Sequence, residues 1–420
     1  MKKQLALNSL KTTFWLSVRI ATQATVLIVL TRTLGPQAFG NFTAVASLAL
    51  IIGMLPTFGS GFMMLRQRAH DDGGAKVVWR YAWPMTLSMG AFLLVIYVLI
   101  ARLLTSPPLP GALLLMIGAS ELLLTPMTYL ASYALQAHER VPLSQFVQWL
   151  PLGFRIIAAI SCLSLDASSR LETYVTLQLL TSFLATFLAL SITHRYVKLD
   201  WRPRLITRQE FLHGATYAAM NLVAANPSEI DKIIAVRLIG AHDTGIYATT
   251  NRVMSSCITP VIGMLLSAQP RLFQHAYKPN SEGHRLMWLI ALSSLGWGFI
   301  SGIALVLCSP VLPWLFGKAF AATAELMPWL ALSAPGLSLR MAAGVILVAL
   351  GKPAERLVFE VLGILILVSS MILLGPHYHA HGLAIALSIA ESSMAIIGWY
   401  MVSKRLRAFN RNPSMAQTLG

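Results

Sequence analysis

The chain has 420 residues, 56% of them hydrophobic and only 11% charged, with a formal net charge of +16. Charged residues approach a quarter of an ordinary soluble domain, so this balance excludes one and calls for a bilayer. The basic excess would suit nucleic acid, but it follows the loops: 22 of the 32 Lys and Arg fall on one alternating face and five on the other, which is a topology signal and not a nucleic-acid patch.

Twelve apolar runs are long enough to cross about 30 Å of hydrocarbon as helices. Their cores are 12–33, 41–65, 81–104, 111–135, 143–164, 173–193, 211–239, 244–268, 286–308, 323–350, 356–375 and 381–402. The charge asymmetry puts both termini in the cytoplasm. The first run carries Arg19 and Gln23 four residues apart, hence on one helical face, and ends in Leu34-Gly35-Pro36-Gln37-Ala38-Phe39-Gly40. A shift of 205 residues carries Arg32 onto Arg237, Gly35 onto Gly240, Gly40 onto Gly245 and Phe42 onto Tyr247. Two halves therefore share one plan: a six-helix bundle over 1–193, a basic cytoplasmic linker over 194–210, a second bundle over 211–404, and a tail over 405–420.

The second run contains Pro56 and Gly59 and is expected to bend. The third has no charge between Tyr81 and Ala101 and reads as lipid-facing scaffold. In the fourth, Glu121, Thr125, Thr128 and Ser132 form a polar stripe beside Pro126; the fifth adds Gln148 and Arg155. Cys162, Cys257 and Cys308 lack metal-ligand spacing and read as packing residues. In the second half, Asn221, Asp231, Lys232 and Arg252 fall in the seventh and eighth runs, Arg340 in the tenth and Glu391 in the twelfth. His377, His379 and His381 read as a polar outer loop, and no metal site is assigned.

Ionisable groups inside hydrocarbon are costly unless they meet water or a partner, so each is a functional candidate. Arg19, Arg155, Lys232, Arg252 and Arg340 are the candidate cavity cations, because guanidinium groups keep their charge at depth and grip phosphate oxygens in pairs. Gln23, Glu121, Gln148, Asn221, Asp231 and Glu391 are the polar or coupling candidates. The competing reading makes each arginine structural, paired with a carboxylate of its own bundle, for instance Arg19 with Glu121 or Arg340 with Glu360. No catalytic constellation, and no cofactor motif, is present among the familiar patterns.

At Leu34-Gly35-Pro36-Gln37-Ala38-Phe39-Gly40, and at Asp231-Lys232 followed by Ile239-Gly240 and Gly245-Ile246-Tyr247, the chain resembles Wzx-type polysaccharide repeat-unit flippases. These belong to the multidrug/oligosaccharidyl-lipid/polysaccharide exporter superfamily. The resemblance implies an all-α polytopic fold of two six-helix bundles around a V-shaped central cavity, and alternating access in a bacterial inner membrane. It implies a polyprenyl-diphosphate-linked oligosaccharide as cargo, membrane lipid as surroundings, and a polysaccharide polymerase and chain-length regulator as partners in O-antigen or exopolysaccharide synthesis. A cation-coupled multidrug exporter of the same superfamily is the alternative; a membrane glycosyltransferase is a more distant one, since no outer loop exceeds about fifteen residues.

Overall fold

The computed structural model describes residues 2–411 apart from 71–72, 107, 167–168, 225–228 and 278–280. Every ordered element among them is helical. The chain forms two compact units, residues 1–237 and 238–420.

Unit 1 opens with α1 (Lys2–Ile52), which carries the first expected span and the start of the second. The two are separated at Gly35, whose φ of 70° and ψ of 172° break the helical path immediately before Pro36. The corresponding Gly240 has φ 78°. A Cβ at either position would meet nothing within 4 Å, so the requirement is for the left-handed backbone and not for space. The repeat seen in the sequence thus extends to a positive φ at both glycines. Phe42 and Tyr247, also equivalent, are both buried, and the Phe42 ring meets Tyr174 edge-on at 5.4 Å.

The second span breaks where Pro56 and Gly59 place it: Phe58 and Gly59 take φ of 45° and 70°, and the chain resumes as α2 (Ser60–His70). Next comes α3 (Gly74–Ala101), which buries Trp79, Ala82, Thr86, Gly90, Leu93, Tyr97 and Ala101 along one stripe. Phe92, Val95, Leu99 and Leu103 lie exposed on the other side. An outer side apolar at these positions, with Ala82, Thr86, Gly90 and Ala101 among the buried ones, is the arrangement hydrocarbon solvent selects.

The fourth span comprises α4 (Gly111–Ala119), a π-helical turn (Ser120–Leu124) and α5 (Thr125–Ala137). Pro126, in the first turn of α5, has no N–H to continue an α-helical ladder, and a π turn absorbs the mismatch. The turn's carbonyls are approached closely by two glycines: a Cβ at Gly53 would lie 2.7 Å from the Glu121 oxygen, and one at Gly90 would lie 2.4 Å from the Leu122 oxygen. Helices α6 (Val141–Ser161) and α7 (Arg170–Val197) complete this part.

After α7, Lys198 turns left-handed at φ 53°, and residues 198–207 form an irregular strap. This connector is laced to unit 1. Trp201 packs on Trp79 and Trp83 with centroids 5.4 and 5.8 Å away. Leu199 belongs to the core formed by Met64, Trp79 and Leu130, and the Arg204 N–H donates to the Arg80 carbonyl at 3.0 Å. The strap ends in a capping box at the start of α8 (Arg208–Ala224). The Thr207 N–H donates to Glu210 Oε2 at 2.9 Å, and the Glu210 N–H donates to Thr207 Oγ1 at 3.3 Å. Burial alone would raise the Glu210 carboxyl; the Thr207 N–H, the Arg204 guanidinium and the Thr207 hydroxyl outweigh it and hold the group below the usual carboxylate range. Helix α9 (Ile230–Leu238) follows.

Unit 2 continues with α10 (Gly240–Cys257), α11 (Thr259–Tyr277) and α12 (Ser281–Cys308). After the short α13 (Leu312–Phe316), α14 (Ala322–Ala331) and α15 (Ser333–Ala349) meet at a 45° bend. The final α16 (Pro353–Arg411) spans the last two expected runs and turns at His379, φ 49° and ψ −131°. The polar outer loop expected at 377–381 is therefore helical apart from this one residue, whose Nδ1 lies 3.9 Å from Asp243 Oδ2. Of the cysteines, Cys162 is buried as expected but Cys308 is exposed, so packing does not account for it.

Among the described residues seven helices, or eight counting the α14–α15 pair, are long and apolar enough to cross a membrane. Two of these, α1 and α16, are continuous through a kink. The protein is a multi-pass membrane protein.

Candidate functional site

Three polar clusters lie inside unit 1. In the first, the π turn aims Glu121 inward, buried, where it forms an ion pair with Arg155 of α6. Gln178 Nε2 donates to Glu121 Oε1 at 3.2 Å and Thr125 Oγ1 to Oε2 at 3.4 Å. A carboxylate at this depth needs such an array, because desolvation would otherwise exceed the attraction of one partner.

The second cluster surrounds Arg19. Its Nη1 donates to Gln148 Oε1 at 3.0 Å, Gln148 Nε2 donates to Ser132 Oγ at 2.7 Å, and Gln136 reaches the same hydroxyl at 3.3 Å. One turn earlier on α1, Trp15 packs on Phe146 at 4.8 Å and Trp149 at 5.5 Å. Arg19 is half-buried and, among the described residues, meets no carboxylate. Gln23 is exposed.

In the third cluster, Lys232 Nζ lies 3.3 Å from Glu229 Oε2 and 3.5 Å from Asp231 Oδ1. Ser47 Oγ donates to the same Glu229 oxygen at 2.5 Å. Lys232 and Asp231 are buried. The side chain of Asn221 lies outside the described residues.

Among its described residues, unit 2 holds one tight buried pair, Arg340 Nε donating to Glu391 Oε2 at 2.7 Å. Glu360 instead accepts from Arg356 at 2.9 Å. On α10, Asn251 is buried and accepts from Ser255 at 3.3 Å. The neighbouring Arg252 is half-buried with no ion pair among the described residues.

Structural pairing inside each unit is real, but its partners differ from those named on the sequence. Glu121 takes Arg155 and not Arg19; Arg340 takes Glu391 and not Glu360. Thr207-x-x-Glu210 is a capping-box signature in the sequence that marks where α8 begins.

Gly35 and Gly240 share a positive φ, and Gly40 and Gly245 are both buried and helical one turn later. The profile of the polysaccharide biosynthesis protein family matches residues 9–275, including both glycine turns. The chain belongs to that family. Its fold is shared with solved transporters. An inward-facing multidrug resistance MATE family transporter of the MOP superfamily superimposes with a TM-score of 0.79 at 14% identity, covering 94% of this chain and 96% of that one. Lipid II flippase MurJ, in an inward closed conformation, gives 0.73 at 15% identity over 95% of this chain and 87% of its own. A MOP superfamily transporter from Pyrococcus furiosus gives 0.64 at 16% identity over 96% and 95%. No curated protein matches the chain. For this family member the flippase resemblance read from the glycine turns agrees with both family and fold. These three solved structures are two transporters and a flippase.

Proposed function

We propose that the protein moves polyprenyl-diphosphate-linked oligosaccharide repeat units from the cytoplasmic to the outer leaflet of a bacterial inner membrane by alternating access. The strap and both termini then face the cytoplasm. Product passes to a polysaccharide polymerase and its chain-length regulator, and the chain performs no covalent step itself. An unaided sugar diphosphate cannot cross hydrocarbon, since each unpartnered polar group costs kcal/mol and charges far more.

The observation that carries this reading is the state of the intramembrane charges. Glu121, Asp231, Glu360 and Glu391 are each committed to a basic partner, whereas Arg19 and Arg252 have no carboxylate among the described residues. Glu325, exposed in the first turn of α14, also has no ion pair among the described residues, but the half-buried uncommitted charge is positive, which suits a diphosphate. It disfavours the alternative of a cation-coupled multidrug exporter, whose cargo would call for uncommitted carboxylates. Within this reading Arg19 and Arg252 bind the cargo, while Arg155, Lys232 and Arg340 each stabilise the unit in which they lie; Gln148 orients Arg19.

Replacing Arg19 or Arg252 by Ala is expected to abolish surface polysaccharide while membrane insertion and protein level stay at wild type. Surface polysaccharide is read by immunoblot and insertion by membrane fractionation. Normal display in both variants contradicts the assignment.

A further inference from the structure

Unit 1 contains a concave site that the transport reading does not use. The cavity, about 360 Å³, lies between α2, the end of the strap and the first turns of α8, and is lined by Met63, Arg66, Gln67, Thr207, Gln209, Glu210 and His213. That volume is within the range of small-ligand sites. None of its lining residues belongs to the intramembrane clusters around Arg19, Arg155 or Lys232.

The arrangement follows from helical spacing. Positions 63, 66 and 67 share one face of α2, and 209, 210 and 213 cluster on the first turns of α8. The strap fixes the third wall, because Trp201 is anchored on Trp79 and Trp83 and Thr207 is locked into the capping box. Exposed basic residues on a connector are ordinarily explained by membrane topology alone. A half-open hollow with the buried Met63 beneath it, amides at Gln67 and Gln209, and the exposed Arg66 and His213 on facing sides is not what topology requires.

Its chemistry is specific. Arg66 supplies a planar fork for phosphate oxygens, and the His213 imidazole adds a ring nitrogen on the opposite wall. The two glutamine amides both donate and accept, as hydroxyl-bearing ligands require. Glu210 also lines the cavity, but Oε1 is bound by Arg204 and Oε2 by the Thr207 N–H and hydroxyl, so its charge is already met.

We propose that this cavity is a binding site for a phosphate-bearing headgroup, with Arg66 as the phosphate anchor and Gln67, Gln209 and His213 reading its polar substituents. The ligand is a lipid diphosphate, an anionic phospholipid or free phosphate, which share this chemistry. The test uses purified full-length protein in phosphatidylcholine nanodiscs, in an Arg19→Ala/Arg252→Ala background that removes the proposed transport cations. The probes are farnesyl diphosphate, short-chain phosphatidylglycerol and inorganic phosphate.

At least one probe is expected to bind, and a further Arg66→Ala substitution is expected to weaken it about tenfold, as loss of a charge-assisted contact does. Arg195→Ala, which removes an exposed cation outside the cavity, is expected to leave binding unchanged. The preferred probe identifies the ligand's source. Absence of binding by all three probes, or equal behaviour of the Arg66 and Arg195 substitutions, overturns the site and leaves the transport reading standing.

Discussion

Glu121 and Arg155 show how far single residues could be read. Their types and depth marked them as candidates, because a charge in hydrocarbon must have a reason. Their pairing was not legible. It depends on how α6 is rotated about its axis against the π turn, and hydropathy periodicity says only which face is polar, not which polar group it meets. Arg19 shows the converse: the face shared with Gln23 was legible, yet Gln23 is exposed and Gln148 is the residue in contact. The pairing has a measurable consequence. Arg155→Met leaves a buried carboxylate without its cation and is expected to cost about 3–5 kcal/mol. Adding Glu121→Leu to it is expected to restore most of that loss. Thermal unfolding in detergent checks both, and a double variant as unstable as the single would contradict a structural pair.

Breaks within elements were legible wherever glycine and proline announced them. Gly35, Gly240 and the Pro56–Gly59 stretch all interrupt helices as read. The π turn before Pro126 was not, since proline signals a disturbed ladder without saying how the extra residue is absorbed. Composition marks the strap as a basic connector; its anchoring through Trp201 and its capping box depend on tertiary contacts. Glu210 makes that anchoring pH-sensitive. Its folded pKa is depressed by the Thr207 and Arg204 contacts despite burial, so the stabilisation is present above the unfolded carboxylate value and disappears as pH falls through the folded value. Hydrogen exchange across 198–210, corrected for intrinsic rates, is expected to show that acid-induced loss of protection. In Glu210→Gln protection is expected to be lower at neutral pH and to lack the acid step. Identical protection profiles for the two proteins would contradict the capping role.

For the whole molecule, composition and basic-loop asymmetry sufficed for a polytopic helical membrane protein, and the duplicated glycine turn sufficed for its family. The number of separate helices was less legible, because α1 runs from the first expected span into the second and α16 runs through the last two, with only Gly35 or His379 to divide them. The proposed cargo rests on the half-buried Arg19 and Arg252, which have no carboxylate partner among the described residues, and on membership of the polysaccharide biosynthesis family. The most direct measurement is the leaflet distribution of lipid-linked repeat units in cells lacking the gene. The account predicts accumulation on the cytoplasmic leaflet, reversed by the wild-type protein and not by Arg19→Ala/Arg252→Ala; an unchanged amount and leaflet distribution of these intermediates would contradict it.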